Sequence, residues 1–347
     1  MNIFSNHWTD KVSNLLQVGG IETSVVDNGP GRGNRIAWIN TGTGLRYKVV
    51  LDRAMDISEA FFNAYSLSWM SYQGITAPLP MSDRGIAWLR TFGGGLLTTC
   101  GLTHVGGPEE DAHIQRGLHG RISNTVAEIL SIEQPDLLRG KMEMSICGRM
   151  KETQVLGTHL ELTRRISSIL GEPVIAIEDI VTNYGNQPTP LMVLYHLNLG
   201  WPLVDEGAKI FWEGDWRARE ADSERKIFRE GHDFFSCPAP LPEHAGAGEE
   251  ACFIDPAADR SGMCNCGIRN PEIGVQLNIR FKKEQLPCLT NWQHWGLREY
   301  VTGLEPGTHY PTGQRQARQD GTLIYLEPGA TKRIELIMDV ETINSNK

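Results

Sequence analysis

Short runs of alternating or β-branched residues, broken at frequent intervals by Gly, Pro, Asn and Asp, predict a mostly antiparallel all-β protein. Two further observations support that class: helical periodicity is scarce, and no long repeat, low-complexity tract or flexible linker divides the 347 residues. Strands this numerous in one domain must bury their faces against each other. A large sandwich of twisted antiparallel sheets is therefore expected over residues 1–347.

The segment Met1 to Asp10 has no basic start followed by an apolar run, so no signal peptide is expected, and no apolar stretch approaches a membrane span. Alternation or β-branched enrichment predicts strands at Tyr47–Leu51, Met142–Cys147, Leu160–Ile166, Val174–Val181, Leu191–Leu199, Ile273–Phe281 and Tyr300–Leu304. Helical character is confined to Asp83–Phe92 and the charged run Trp216–Phe228. The stretch 231–267, rich in Pro, Gly, Ala and acidic residues, reads as a long surface insertion.

A formal net charge of −9 argues against nucleic acid and anionic membranes as partners, since both require clustered Lys and Arg. A neutral small molecule suits this balance better. The seven cysteines are odd in number and scattered, unlike a secreted disulfide framework, and point to a cytoplasmic protein with reduced thiols. Cys264-Asn265-Cys266 has no second cysteine pair at ligand spacing, and Gly29-Pro30-Gly31-Arg32-Gly33 matches no phosphate loop or dinucleotide fingerprint. No metal or cofactor is expected.

Three remote segments carry candidate chemistry: Gly117-Leu118-His119-Gly120-Arg121, Leu194-Tyr195-His196-Leu197-Asn198-Leu199 and Gly303-Leu304-Glu305-Pro306-Gly307. One carboxylate and two imidazoles form an acid/base set if their pKa values can be brought near neutrality. Strand alternation puts Met192, Leu194, His196 and Asn198 on one face and Leu191, Val193, Tyr195, Leu197 and Leu199 on the other. Both faces are largely apolar, so His196 and Asn198 need partners or a polar cavity; a satisfied core histidine is the competing reading. Gly120 after His119 lets a ligand or another backbone approach closely. His104, Glu109, Glu110, Asp111, His113 and His119 are all metal-ligand types, yet they lack ligand spacing. Glu305 precedes Pro306, which marks a strand end, and Leu326-Glu327-Pro328-Gly329 shows that the same residue types also make a plain turn. Trp292, Trp295, Tyr300 and Tyr310 surround Glu305 in sequence, where aromatic faces could stack on a sugar or simply pack. Arg53, on the face of Val49 and Leu51, is read either as a ligand contact or as an ion-pair partner of Asp52 or Asp56.

His119-Gly120, His196 followed by Asn198-Leu199, and Leu304-Glu305-Pro306, in that order, resemble the aldose 1-epimerase (galactose mutarotase-like) superfamily. Leu51 to Ile57, Gly93 to Leu102 and Leu118 to Arg121 further resemble a bacterial branch of it, and the likeness spans about Ile21 to Asp339. The resemblance implies a β-supersandwich, a sugar in a cleft on its concave face, and interconversion of α and β anomers without metal or redox cofactor. It assigns Glu305 as general base, His196 as general acid and His119 as the histidine at the ring oxygen. Arg53, Arg121, Asn198 and Trp292 are the expected substrate contacts. The approach to His119 and the run around His196 depart from better-known mutarotases, so sugar identity does not carry over. Epimerisation or elimination on a sugar, or sugar binding without turnover, are the alternatives, and a homo-oligomer is compatible with either.

Overall fold

A computed structural model of the chain describes residues 8–79, 84–110, 115–220 and 226–344. The chain is built almost wholly from antiparallel strands in three large sheets, with one two-stranded ribbon beside them. A five-stranded sheet runs Gly20–Val25, Arg35–Asn40, Leu45–Val50, Asp56–Phe62 and Tyr65–Ser66 in spatial order. The eight-stranded sheet has the order Lys209–Phe211, Met263–Asn270, Val275–Lys282, Thr331–Thr342, Val174–Asn183, His159–Ile169, Glu143–Thr153, Glu128–Glu133. The third sheet is ordered Gly214–Ala218, Glu250–Pro256, Cys288–Gly296, Glu299–Gly307, Thr189–Leu199, Ile324–Leu326, and Thr98–Leu102 also pairs with Thr189–Leu199. No described helix is long and apolar enough to cross a membrane.

The eight-stranded sheet buries one face: along His159–Ile169 and Val174–Asn183, buried and half-buried residues alternate one for one. Those inward residues meet the apolar faces of the other two sheets in one continuous cluster that includes Tyr47, Ile57, Leu162, Ile177, Tyr195, Leu197, Leu289 and Leu336. Thr189–Leu199 is buried on both faces, as its sequence predicts. Val193, Tyr195 and Leu197 enter the main cluster, whereas Met192 and Leu194 join a smaller one with Trp88, Phe92, Cys100, Val105 and Ala317.

Behind Tyr195 lies a buried ionic network. Arg164 donates to both carboxylate oxygens of Asp179 (2.9 and 2.6 Å), to the Ala54 carbonyl, to Asp56 and to Thr99 Oγ1. The Tyr195 hydroxyl and the Thr99 N–H and hydroxyl donate to the same two aspartates. The network ties all three sheets together.

Several expectations are corrected. Residues 231–267 are not a surface insertion throughout: from Glu250 onward they contain strand Glu250–Pro256 and the start of Met263–Asn270, in two different sheets, with Cys252, Ile254, Cys264 and Cys266 in the core. The alternation there is carried by cysteines, which composition alone counts as thiols rather than as small apolar residues. Trp216 lies on strand Gly214–Ala218, not on a helix, and 221–225 fall outside the described residues. Of Asp83–Phe92, a 3₁₀ turn forms at Ala87–Arg90 and Asp83 is not described; among the described residues the one α-helix is Gln314–Gln319. Glu305 does not end a strand, because Glu299–Gly307 runs on through Pro306. The ladder to Thr189–Leu199 registers Leu194 with Gly307 and resumes at Leu197 with Leu304. Pro306, which has no N–H to donate, sits in that interval.

Candidate functional site

The register that pairs Leu197 with Leu304 puts His196 opposite Glu305, in the interval where the ladder is open. Residues directly opposed across a sheet share a face. Thr98 precedes His196 in that cross-strand row, and Thr290, Phe253 and Arg217 follow Glu305. His196 Nε2 and Glu305 Oε1 lie 3.3 Å apart without hydrogen-bond alignment.

His119 arrives from a tight turn laid on Thr98–Leu102. Gly101 N–H donates to the His119 carbonyl and Arg121 N–H to the Gly101 carbonyl. His119 and Gly120 both adopt positive φ, 56° and 72°. A Cβ on Gly120 would stand 2.4 Å from the Gly101 carbonyl oxygen, so the close approach that this glycine permits is by backbone. The turn sets the His119 ring edge-on to His196, centroids 5.9 Å apart.

Aromatic rings close the site: Trp88 lies 4.9 Å from His119 and stacks at 4.3 Å on Phe92, which lies 5.2 Å from His196. On the other side Trp292 meets His196 edge-on at 5.5 Å. The indole and the carboxylate fit because position 303 is glycine: a Cβ there would be 2.7 Å from Glu305 Oε1 and 3.1 Å from Trp292 Cε3. At the rim, Trp292 Nε1 donates to Glu249 Oε2 (2.7 Å), and Glu249 Oε1 pairs with Arg219 at 3.0 Å.

His196 and Glu305 are 6% and 3% exposed. His119 Nδ1, His196 Nδ1, Glu305 Oε1, Thr290 Oγ1 and Asn198 Oδ1 have no hydrogen-bond partner in the protein. Leaving one buried polar group unpaired costs about 1–3 kcal/mol, so such a cluster marks a place where a ligand completes the bonding. Burial, helped by the nearby Glu249 carboxylate, raises the Glu305 carboxyl to about 8 against the opposing pull of Arg219. Burial lowers His196 to about 4, and burial with the neighbouring His196 and His104 holds His119 well below the usual histidine value.

Of the residues singled out from sequence, His119, His196, Glu305 and Trp292 converge. Asn198 lies fully buried behind His196, donating to the Gly95 and His196 carbonyls. Arg53 does not join them. The strand ends at Val50 and the chain turns through Ala54 and Met55 with positive φ, so the guanidinium is directed to the Ser123 carbonyl, the Thr76 carbonyl and hydroxyl, and the Thr91 carbonyl. Asp52 is paired with Arg35 and Asp56 with Arg164. Arg121 donates to the Thr153 carbonyl and lines a separate cavity of about 170 Å³ with Arg116, Glu152 and Gln314. Among the described residues no three potential metal ligands converge; His104 bonds the Gly107 carbonyl, and Asp111 and His113 lie outside those residues.

Trp88, Phe92, Glu249 and Arg219 were not anticipated, nor was the room that Gly303 leaves for the indole and the carboxylate. The four-residue spacing of Trp88 and Phe92 is a signal that could have placed both on one face of a helical turn. Nothing in the sequence separates rim Glu249 from Glu250, which instead accepts from the N–H groups of Lys226, Ile227 and Phe228.

The architecture is that of the aldose 1-epimerase and galactose mutarotase-like β-sandwiches. A provisionally assigned aldose 1-epimerase from Klebsiella pneumoniae superposes with a TM-score of 0.81 at 23% identity, covering 96% of this chain and 86% of that one. A galactose mutarotase-like protein from Clostridium acetobutylicum (TM-score 0.64, 10% identity, 93% and 98% covered) shares the fold. So does galactose 1-epimerase from Lactobacillus acidophilus (0.61, 11%, 93% and 99%). The chain belongs to the family described as Domain of unknown function (DUF4432), whose model matches residues 31–340. No curated protein matches it.

Proposed function

We propose that the site interconverts the anomers of an aldose or aldose derivative by general acid/base ring opening. The observation that carries this reading is the buried His196–Glu305 pair, 3.3 Å apart with unpartnered polar atoms and pKa values displaced in opposite directions. Between about pH 4 and about 8 these two groups together hold one proton. Anomer exchange needs one. Glu305 as carboxylate takes the proton of the anomeric hydroxyl while the C1–O5 bond breaks and C1=O forms, and His196 as imidazolium protonates O5. The pair then carries its single proton on Glu305. Rotation about C1–C2 and the reverse transfers close the ring as the other anomer and restore the starting state.

In the empty site burial favours the proton on the carboxyl; sugar hydroxyls donating to Glu305 stabilise the carboxylate and draw the proton to His196. His119, held neutral, offers a hydrogen bond to the ring-oxygen region. Each positioned transfer contributes about 10²–10⁴-fold.

Saturation-exchange NMR on a panel of aldoses tests the reading. Anomer exchange that collapses in Glu305→Gln and in His196→Ala supports it, and exchange unchanged in both variants overturns it. Tight sugar binding without exchange in the wild type would identify a sugar-binding protein instead.

A further inference from the structure

The outermost strand of the site sheet, Gly214–Ala218, stands three strands from Glu299–Gly307 and places two arginines on the face of the proton-transfer pair. Arg217 opposes Phe253 in the row that continues through Thr290 to Glu305. Arg219, whose N–H donates to the Ala251 carbonyl, extends the neighbouring row of Ala251, Trp292 and Gly303. Strand spacing makes the separation roughly 14 Å at the backbone.

Trp292 supplies the ruler. Its ring centroid lies 5.5 Å from that of His196, and its Nε1 donates to Glu249, which is paired with Arg219. A sugar whose anomeric carbon lies between His196 and Glu305, and whose body follows the indole, therefore ends at Arg219. Beside it Arg217 is held over the rings of Phe253 and Tyr310, at 5.1 and 5.6 Å.

We propose that the substrate is an aldose bearing an anionic group (phosphate, sulfonate or carboxylate) on the carbon remote from the anomeric centre, and that Arg219 and Arg217 bind that group. The proposal rests on the proton-transfer reading of the same site. Glu249 is already an oxyanion on Arg219, which shows that the guanidinium is oriented to receive one. Their pair is partly exposed, and pairs of that kind are weak, so a ligand anion gaining charge-assisted bonds to two guanidiniums displaces Glu249 Oε1. Glu249 Oε2 keeps its bond to Trp292 meanwhile. A neutral sugar offers Arg219 only hydroxyl oxygens, which bond a guanidinium less strongly than an oxyanion does and so compete less well with Glu249.

The test compares matched sugars, glucose with glucose 6-phosphate and glucuronate, and galactose with galactose 6-phosphate, by anomer-exchange NMR. The expected result is a preference of about tenfold or more in kcat/KM for an anionic member, carried by KM, with inorganic phosphate competing. The phosphate and carboxylate arms show which anion is taken. In the double variant Arg217→Gln/Arg219→Gln the anionic-to-neutral ratio falls to near one. A neutral member used as well as its anionic partner, or a ratio unaltered in the double variant, overturns the proposal. Calorimetric binding of the sugar phosphates to Glu305→Gln separates the two readings: arginine-dependent binding with no exchange in the wild type removes only the proton-transfer reading. Absence of such binding removes this one.

Discussion

Two groups of buried ionisable side chains lie back to back across the strand Thr189–Leu199, and they differ in how their hydrogen bonds are satisfied. On the Tyr195 face, Arg164, Asp179, Asp56 and Thr99 bond one another through well-aligned contacts, the shortest at 2.6 Å. On the His196 face, His119, His196 and Glu305 crowd together with an unpartnered atom on each. Both groups are desolvated, so burial alone does not tell structure from chemistry. Satisfaction does: the first set is complete within the protein, and the second is completed only by something that enters.

The largest effect should come from breaking the satisfied side. Arg164→Met leaves Asp179 and Asp56 buried without their counter-ion and should cost about 3–5 kcal/mol in denaturant unfolding. A loss below about 1 kcal/mol would mean that the network is not structural.

The unsatisfied side should respond in the opposite sense. Glu305 has a carboxyl raised from 4.5 to about 8, so the folded chain retains a proton that the unfolded chain releases in that window. Wild-type stability from this group is full below about pH 4.5 and is lost as pH rises to about 8. Glu305→Gln cannot ionise and should become more stable than wild type by on the order of 4 kcal/mol near pH 8, with little difference near pH 4. Parallel denaturation curves at the two pH values check this.

His196 gives a smaller mirror image. Its pKa is lowered from 6.5 to about 4, so its contribution is present above about pH 6.5 and lost as pH falls to about 4. His196→Gln should gain on the order of 3 kcal/mol over wild type at the acid end alone. Smallest in stability is Gly303→Ala: the new Cβ meets the carboxylate and the indole edge, both able to shift, so unfolding should change by less than about 1 kcal/mol. Anomer exchange should nevertheless fall about tenfold, because the shift displaces Glu305 from His196.

Much of this contrast was legible in the sequence. Alternation along Leu191–Leu199 separated Tyr195 from His196, and the order of His119, His196 and Glu305 pointed to the fold. Arg53 was misread because a strand face was extended past Val50, whereas two positive-φ residues redirect the chain. The whole of 231–267 was read from its loop-like composition, which hid two strands that carry Cys252, Cys264 and Cys266 into the core. Arg164 meets Ala54 and Asp56 across 110 and 108 residues of chain, and only folding brings them together, as it does Glu249 and His119 at the site. Periodicity reports which face a residue occupies; it carries no information on what lies across from it.

The pH dependence of anomer exchange in the wild type and in Glu305→Gln shows whether His196 and Glu305 share the working proton. Wild type should show an optimum bounded by limbs near about 4 and about 8, and the variant should lose about 10²-fold or more together with the alkaline limb. A rate that is flat across that range, or an alkaline limb retained by Glu305→Gln, would contradict that sharing.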